Sequence, residues 1–406
     1  MNEMKIRTIL LDLLRSSDVS FTSALRECSG EDWEQLVRET NTHGITPLFY
    51  KSVQTSGISV PEEAGKKMHA AYLRAAEQNI RRYHCLGKVF AVCDGAGIPV
   101  IPLKGMYLAQ HVYQDIALRE MSDVDVLVRK KDLDAFESIL AASGFMPMQQ
   151  NKIPFLERGR HLRYVIDESG LLVEVHWDLM DPGDDVQIDI EALWERSKPL
   201  GYPGGCIRAL SPEDLLLHLC VHLANHTFCL GLRGLYDLAM TIHVFMNVMD
   251  WNKLYDIAVT WNAVRALYVN LQLIAGLLDV QVSKEYLERV KPRDFEEQYM
   301  EISRELVFAS YEPNNPVFSI MSEEDGGQKA GFMLKALFPS PRTIALKYPS
   351  VKNRFQVLLS YPLYYKDRMK KYWDVAWRLF LGSRQTVAEK EQHRKIKEVK
   401  KWLLSG

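Results

Sequence analysis

The sequence predicts an α+β fold: a small mixed sheet at residues 96–200, set between helical segments at 1–95 and 201–406. Three observations predict it. In Trp33-Glu34-Gln35-Leu36-Val37, from Glu62 to Val92, and again beyond Ser211, apolar residues recur at intervals of three and four. The middle of the chain carries short, β-branched runs instead. Gly95-Ala96-Gly97 marks the change from one pattern to the other.

Each element follows from local chemistry. Ser29, with Glu31-Asp32 before Trp33, reads as a helix start, and Pro47 and Gly57 punctuate the helices after it. Residues 98–103 form an apolar run predicted as a strand, ended by Lys104-Gly105 and followed by a helix over 106–113. Val124 to Val128 is a second strand, and a helix over 131–143 closes at Gly144. Strands at 161–166 and 171–176 flank Asp167-Glu168-Ser169-Gly170, whose turn chemistry makes them a hairpin. Ser211-Pro212-Glu213-Asp214 places Ser at the N-cap, Pro at the first helical position and acids in the first turn. Helices are expected over 215–224, 232–247, 252–259 and 264–278, with a break at Phe338-Pro339-Ser340-Pro341.

The bulk numbers narrow the function. A net charge of −2 argues against a general nucleic-acid binder, whose footprint is basic. The six cysteines have no CxxC spacing and read as reduced core residues of a cytoplasmic protein. The N-terminal apolar run is broken by Asp12 and Arg15, so no signal peptide is expected, and no apolar stretch is long enough to span a membrane. The basic stretch from Arg394 to Lys401 is interleaved with Glu and reads as a solvated helix face.

The chemistry centres on Asp123-Val124-Asp125. Alternate residues of a strand share a face, so the two aspartates project together with Cα atoms about 6.5–7 Å apart. Such a pair suits Mg²⁺, which prefers oxygen ligands. Val124, Val126 and Val128 face the core. Glu174, flanked by Val173 and Val175, supplies a third acid on a neighbouring strand. A lone DxD is a weak signal, and glycosyltransferases carry it too. The order of strand, glycine, helix, DxD strand, helix and acid-bearing hairpin is the layout of a metal-dependent phosphoryl-transfer site.

These residues carry a resemblance. Ile101-Pro102-Leu103-Lys104-Gly105, Tyr113, Arg119 and Ser122 to Val128 resemble the uncharacterised bacterial nucleotidyltransferase family of the DNA polymerase β-like superfamily. So do His43 to Tyr50, Glu174-Val175-His176-Trp177 and Pro212 to Leu216. The resemblance spans about residues 30–245. It implies two Mg²⁺ ions and transfer of a nucleoside monophosphate from an NTP, with ATP the expected donor, releasing pyrophosphate. Asp123, Asp125 and Glu174 would then be the catalytic and metal-binding acids, with Glu174 serving the attacking hydroxyl. The acceptor is a small molecule, a peptide or a protein. Departures from the superfamily pattern are Lys104-Gly105 in place of Gly-Gly or Gly-Ser, Glu174 in place of Asp, and the seventeen residues between Gly105 and Asp123.

Around the acids, Lys104 at a helix start is suited to phosphate, or is a solvated loop lysine. Gly105 suits close backbone approach to the ligand or a tight turn. Arg119 is either a structural partner of a carboxylate or a triphosphate contact. His176 shares the face of Glu174 and either binds substrate or makes a structural hydrogen bond. His218, His222 and His226 line one helix face. His222 is a nucleotide-site candidate, against ordinary packing or a zinc site for which no Cys or carboxylate partner is evident. Arg233 and Asp237, four apart, are expected to pair. Removing one acid should relieve repulsion without loss of stability. Two rivals remain: a catalytically degenerate nucleotide-binding scaffold or sensor, and a DxD glycosyltransferase.

Overall fold

The computed structural model describes residues 3–15, 18–148, 159–166, 170–181, 183–201, 204–309, 359–366 and 384–405. Met1–Ser310 with Lys401–Gly406 forms one compact unit and Tyr311–Lys400 a second. The expected turn residues Asp167 to Ser169 and the expected break at Phe338 to Pro341 lie outside the described residues.

The first unit opens with five helices: α1 (Glu3–Leu14), α2 (Asp18–Arg26), α3 (Gly30–Thr42), α4 (Thr46–Ser56) and α5 (Glu62–Ala96). Ser29 caps α3 in a capping box with Asp32, which satisfies backbone N–H groups left open at a helix start. Gly57 ends α4 and Gly97 ends α5, both in the left-handed conformation that glycine adopts without a Cβ penalty.

The middle of the unit is the sheet. Its elements are β1 (Val100–Pro102), α6 (Lys104–His111), β2 (Asp123–Val128), α7 (Leu133–Ala142), β3 (Met146–Pro147), β4 (His161–Ile166) and β5 (Leu171–His176). The strand order is β1-β2-β5-β4-β3. β2 and β5 run parallel and the other neighbours antiparallel, so the sheet is mixed. Period-two alternation gives it two unlike faces. Val124, Val126, Val128, Val173 and Val175 pack with Leu86, Val89 and Phe90 of α5 and Phe136 and Leu140 of α7. Asp123, Asp125, Glu174 and His176 occupy the other face, out of phase with the valines.

After α8 (Ile190–Arg196) and the short pair β6 (Lys198–Pro199) and β7 (Arg208–Ala209), the chain is helical. α9 (Pro212–Asn225) starts at Ser211, whose side chain accepts from the Asp214 N–H. Then come α10 (Gly231–Phe245), α11 (Trp251–Thr260), α12 (Val264–Leu278), α13 (Lys284–Val290) and α14 (Glu297–Phe308). α15 (Arg384–Leu404) begins in the second unit. There Arg394, Lys395 and Lys397 are exposed while Ile396 and Val399 are buried, so the basic stretch is the solvated face of an amphipathic helix.

The corner between α3 and α4 is docked on the start of α10. The Leu232 N–H donates to His43 Nδ1 at 3.4 Å. Gly231, at φ +65°, leaves space that a Cβ would take, 2.6 Å from that same nitrogen. Gly44 lies against Arg233, with room for a Cβ only 3.1 Å from its Nη1. Burial, and then the charge of Arg7, push the His43 pKa down to about 4.

That shift makes stability pH-dependent. His in the unfolded chain takes up a proton near its ordinary value of about 6.5, whereas folded His43 resists protonation until about 4. The unfolded state therefore binds more protons as pH falls from 6.5 toward 4, and stability drops over that window. The loss should be on the order of 2–3 kcal/mol. Urea denaturation at about pH 7 and about pH 5 should show the wild type losing more stability than His43→Asn. Equal losses would exclude His43 as the titrating group.

Candidate active site

Asp125 is a buried member of the acid-bearing face. Its backbone register partner on β5 is Glu174, and adjacent strands stand about 4.8 Å apart. Lys104 Nζ lies 3.0 Å from Asp125 Oδ1, and His176 Nε2 lies 2.9 Å from the same oxygen. Burial alone would push the Asp125 pKa up. Lys104 and His176 outweigh that and hold the carboxyl well below the usual carboxylate range.

Asp123 behaves in the opposite way. Burial, Asp125 and Glu174 push its pKa up, and the Ser122 hydroxyl, donating at 2.9 Å, offsets them in part. Among the described residues no Lys, Arg or His nitrogen lies within 4 Å of its oxygens. The cluster therefore carries one carboxylate without an adjacent counter-ion.

Glu174 is gripped on one side only. Arg163 Nε donates to Oε1 at 2.7 Å, while Oε2 faces His176 Nε2 at 3.6 Å and His161 Nε2 at 3.8 Å. Burial opposes ionisation, but His176, His161 and Arg163 bring the pKa down to about 2. Burial and His176 hold His161 near 4, so it is neutral at pH 7. His161, Glu174 and His176 form a group whose ligand atoms lie within 4.8 Å of one another, an arrangement able to hold a metal ion.

The backbone before β2 is fixed from below and above. From α5, Asn79 Nδ2 donates to the Ile116 and Arg119 carbonyls at 2.6 and 2.8 Å. Arg82 donates to the Ser122 carbonyl at 3.3 Å. This tethered loop accounts for the long spacing between Gly105 and Asp123. From α10, Asp237 accepts Arg119 Nε at 3.0 Å and Nη2 at 2.8 Å, and Tyr113 OH at 2.8 Å. Gly105 sits where a Cβ would come within 2.5 Å of Arg119 Nη1 and 2.8 Å of Met121 Sδ. The neighbour that needs its missing side chain is thus Arg119. Lys104 precedes it at φ +42°, a left-handed backbone that side chains rarely adopt.

A cleft of about 320 Å³ opens on this face, at the small end of the range that holds compact ligands. Lys104, Gly105, Arg119, Asp123, Asp125, Glu174, His176 and His222 all line it. Leu219, His222, Leu223 and His226 give it a wall from the α9 segment. His218 lines a smaller adjoining cavity with Lys104 and His176. Burial and then Lys104 hold His218 near 3 and His222 well below its ordinary value, so both imidazoles are neutral.

Three features differ from the sequence expectation. Asp237 pairs with Arg119 across the cleft and not with Arg233 one turn away. Arg233 is left with the Glu120 carbonyl, to which Nη1 donates at 3.3 Å, and with no carboxylate within 4 Å among the described residues. Burial, and then Arg119, push its pKa down. His161 joins the acids because the hairpin register places it opposite His176. Neutralising Asp125 would also strand Lys104, so stability should fall where relief of repulsion was expected.

The small mixed sheet flanked by helices is an α+β architecture consistent with a nucleotidyltransferase core. The chain belongs to the uncharacterised nucleotidyltransferase family, whose model matches residues 29–279, and through it to the DNA polymerase β-like superfamily. No curated protein and no solved structure matches it. Among the described residues, no helix is long and apolar enough to cross a membrane.

The Arg119–Asp237 contact is open to test. Both groups are buried, and removing one partner of a buried pair leaves an uncompensated charge costing about 3–5 kcal/mol. Asp237→Leu should therefore destabilise the chain by that order in denaturant titration. Adding Arg119→Met should recover much of the loss. A single variant as stable as wild type would show the pair to be dispensable.

Proposed function

We propose that the chain is a divalent-cation-dependent nucleotidyltransferase that moves a nucleoside monophosphate from an NTP, with ATP the expected donor, to a hydroxyl. The observation that carries this reading is the convergence of Asp123, Asp125 and Glu174 on one cleft in a chain of nucleotidyltransferase family. Asp123 lacks an adjacent counter-ion and feels both other acids, so the donor set fits a hard cation such as Mg²⁺. Asp123 and Asp125 would hold it on the triphosphate, and Glu174 would hold the second. Bound cations neutralise the phosphates and lower the pKa of the attacking hydroxyl.

The chain's own residues supply position and charge. Lys104 leaves Asp125 for a phosphate oxygen as the nucleotide enters. Arg233, a guanidinium without a carboxylate partner beside Arg119, takes the terminal phosphates from the α10 side. The α9 histidines, neutral and partly apolar, bound the site and limit water. The acceptor oxygen attacks the α-phosphorus, the bond to the β-phosphate oxygen breaks, and pyrophosphate leaves. Glu174, ionised at neutral pH, would hold the cation that acidifies the hydroxyl, and the proton leaves to solvent in the cleft. The acceptor is a small molecule, peptide or protein.

A second reading has its own observation. Lys104 and Arg163 already compensate Asp125 and Glu174, which suits a scaffold that binds nucleotide without turning it over. Incubation with each labelled NTP and Mg²⁺, with pyrophosphate release and mass analysis of candidate acceptors and of the protein itself, separates the two. A gain of one NMP mass supports transfer. Nucleotide binding with no release under any condition would favour the scaffold.

Variants assign the roles. Asp125→Asn should lower both Mg²⁺-ATP affinity and turnover. Glu174→Gln should leave binding nearly intact while turnover falls on the order of 10²-fold, the scale of lost assistance to proton removal from the hydroxyl. Arg233→Met should raise KM for the nucleotide roughly 10- to 100-fold, the loss of one charge-assisted hydrogen bond, with a smaller effect on kcat. Unchanged KM in Arg233→Met would remove that residue from the phosphate site, and full activity in Asp125→Asn would remove the metal-site reading itself.

A further inference from the structure

Mg²⁺ suits the carboxylates on the Asp123 side of the cleft, but the donors around Glu174 are not those of a Mg²⁺ site. Mg²⁺ is bound through oxygen and keeps several waters. Around Glu174 Oε2 the neighbours are two imidazole nitrogens. His161 Nε2 is 3.8 Å away and His176 Nε2 is 3.6 Å away. Both separations are too long for hydrogen bonds, so neither imidazole satisfies that oxygen directly. Bonds of about 2.0–2.2 Å to one ion put neighbouring ligand atoms roughly 3–3.5 Å apart. The two carboxylate–imidazole separations thus need to close by only a few tenths of an ångström, and all three ligand atoms already lie within 4.8 Å of one another.

The arrangement is built by the sheet. His161 on β4 and His176 on β5 are register partners, with ring centroids 4.9 Å apart. Glu174 lies two residues before His176 on the same face. Arg163, the register partner of Glu174, takes Oε1 at 2.7 Å and so turns Oε2 toward the imidazoles. His176 Nε2 also touches Asp125 Oδ1 at 2.9 Å, which places a second carboxylate oxygen at the edge of the group.

We propose that His161, His176 and Glu174 form a mixed nitrogen and oxygen site that takes a first-row transition dication, such as Zn²⁺, Co²⁺ or Mn²⁺, in preference to Mg²⁺. Imidazole ligands suit these ions, whereas carboxylate, carbonyl and water suit Mg²⁺. The site deepens the function proposed above, since it names the cation on the Glu174 side and leaves the Asp123 side to the nucleotide's Mg²⁺. Asp125, between the two, can serve either.

The test needs no nucleotide. The full-length chain is stripped with a chelator, then dialysed against Zn²⁺, Co²⁺, Mn²⁺ or Mg²⁺, and bound metal is measured by mass spectrometry. The expected result is one equivalent of Zn²⁺ or Co²⁺ retained against a large excess of Mg²⁺. Bound Co²⁺ should give a visible absorption spectrum that changes in His161→Gln. That variant should lose at least about tenfold in Co²⁺ affinity, since even groups that only orient a metal's ligands are worth 10- to 100-fold. Ready displacement of Zn²⁺ by Mg²⁺ in the wild type would overturn the proposal, and that measurement requires no variant to fold. An unchanged Co²⁺ spectrum and affinity in a folded His161→Gln would overturn it as well. Failure here with NMP transfer intact leaves the nucleotidyltransferase reading standing. Retained Zn²⁺ without NMP transfer does the reverse.

Discussion

The bidentate contact between Arg119 and Asp237 is the constraint on which the site depends. It joins residues 118 apart in sequence, one just ahead of β2 and the other on α10. Both side chains are buried, so each is costly without the other. Their geometry fixes where the helical wall stands relative to the acids. Tyr113 adds a hydroxyl to the same carboxylate, and Gly105 leaves the space that the guanidinium needs. The Lys104-Gly105 start of α6, the loop before β2 and α10 are thus one packed unit around a single ion pair.

The N-terminal helices serve the same unit from outside. α5 anchors the loop through Asn79 and Arg82 and packs its apolar face on the valine side of the sheet. The corner at His43-Gly44 meets α10 beside Arg233. This gives the His43 to Tyr50 stretch a physical place in the family pattern. It lies far from the acids in sequence, yet it supports the helix that faces them.

Much of this was legible in the sequence. Period-two alternation placed β2, β4 and β5 at the residues observed, because valines on one face and acids on the other leave little freedom of register. Ser29 and Ser211 announced their helices through capping chemistry. The acids, Lys104, His176 and His222 were recognisable as residues that would share a cleft. What the sequence did not disclose were tertiary choices. Asp237 had a local partner in Arg233, and only the packing of α10 against the loop shows that the distant Arg119 wins. Arg233 could not be read as a bare cation before that was known. His161 was different, since its signal was present. A hairpin that pairs Ile166 with Leu171 must pair His161 with His176, so counting outward from the turn would have found it.

Lys104 occupies a left-handed backbone position, one where glycine is the easy choice, and so brings an ammonium group to the acid cluster at some conformational cost. With Arg163 on Glu174, it gives the site internal counter-ions. Many small metallo-domains fold only as the metal arrives. Under the proposed function, these internal charges would offset the repulsion among the acids before a cation binds, and loading would exchange one positive charge for another.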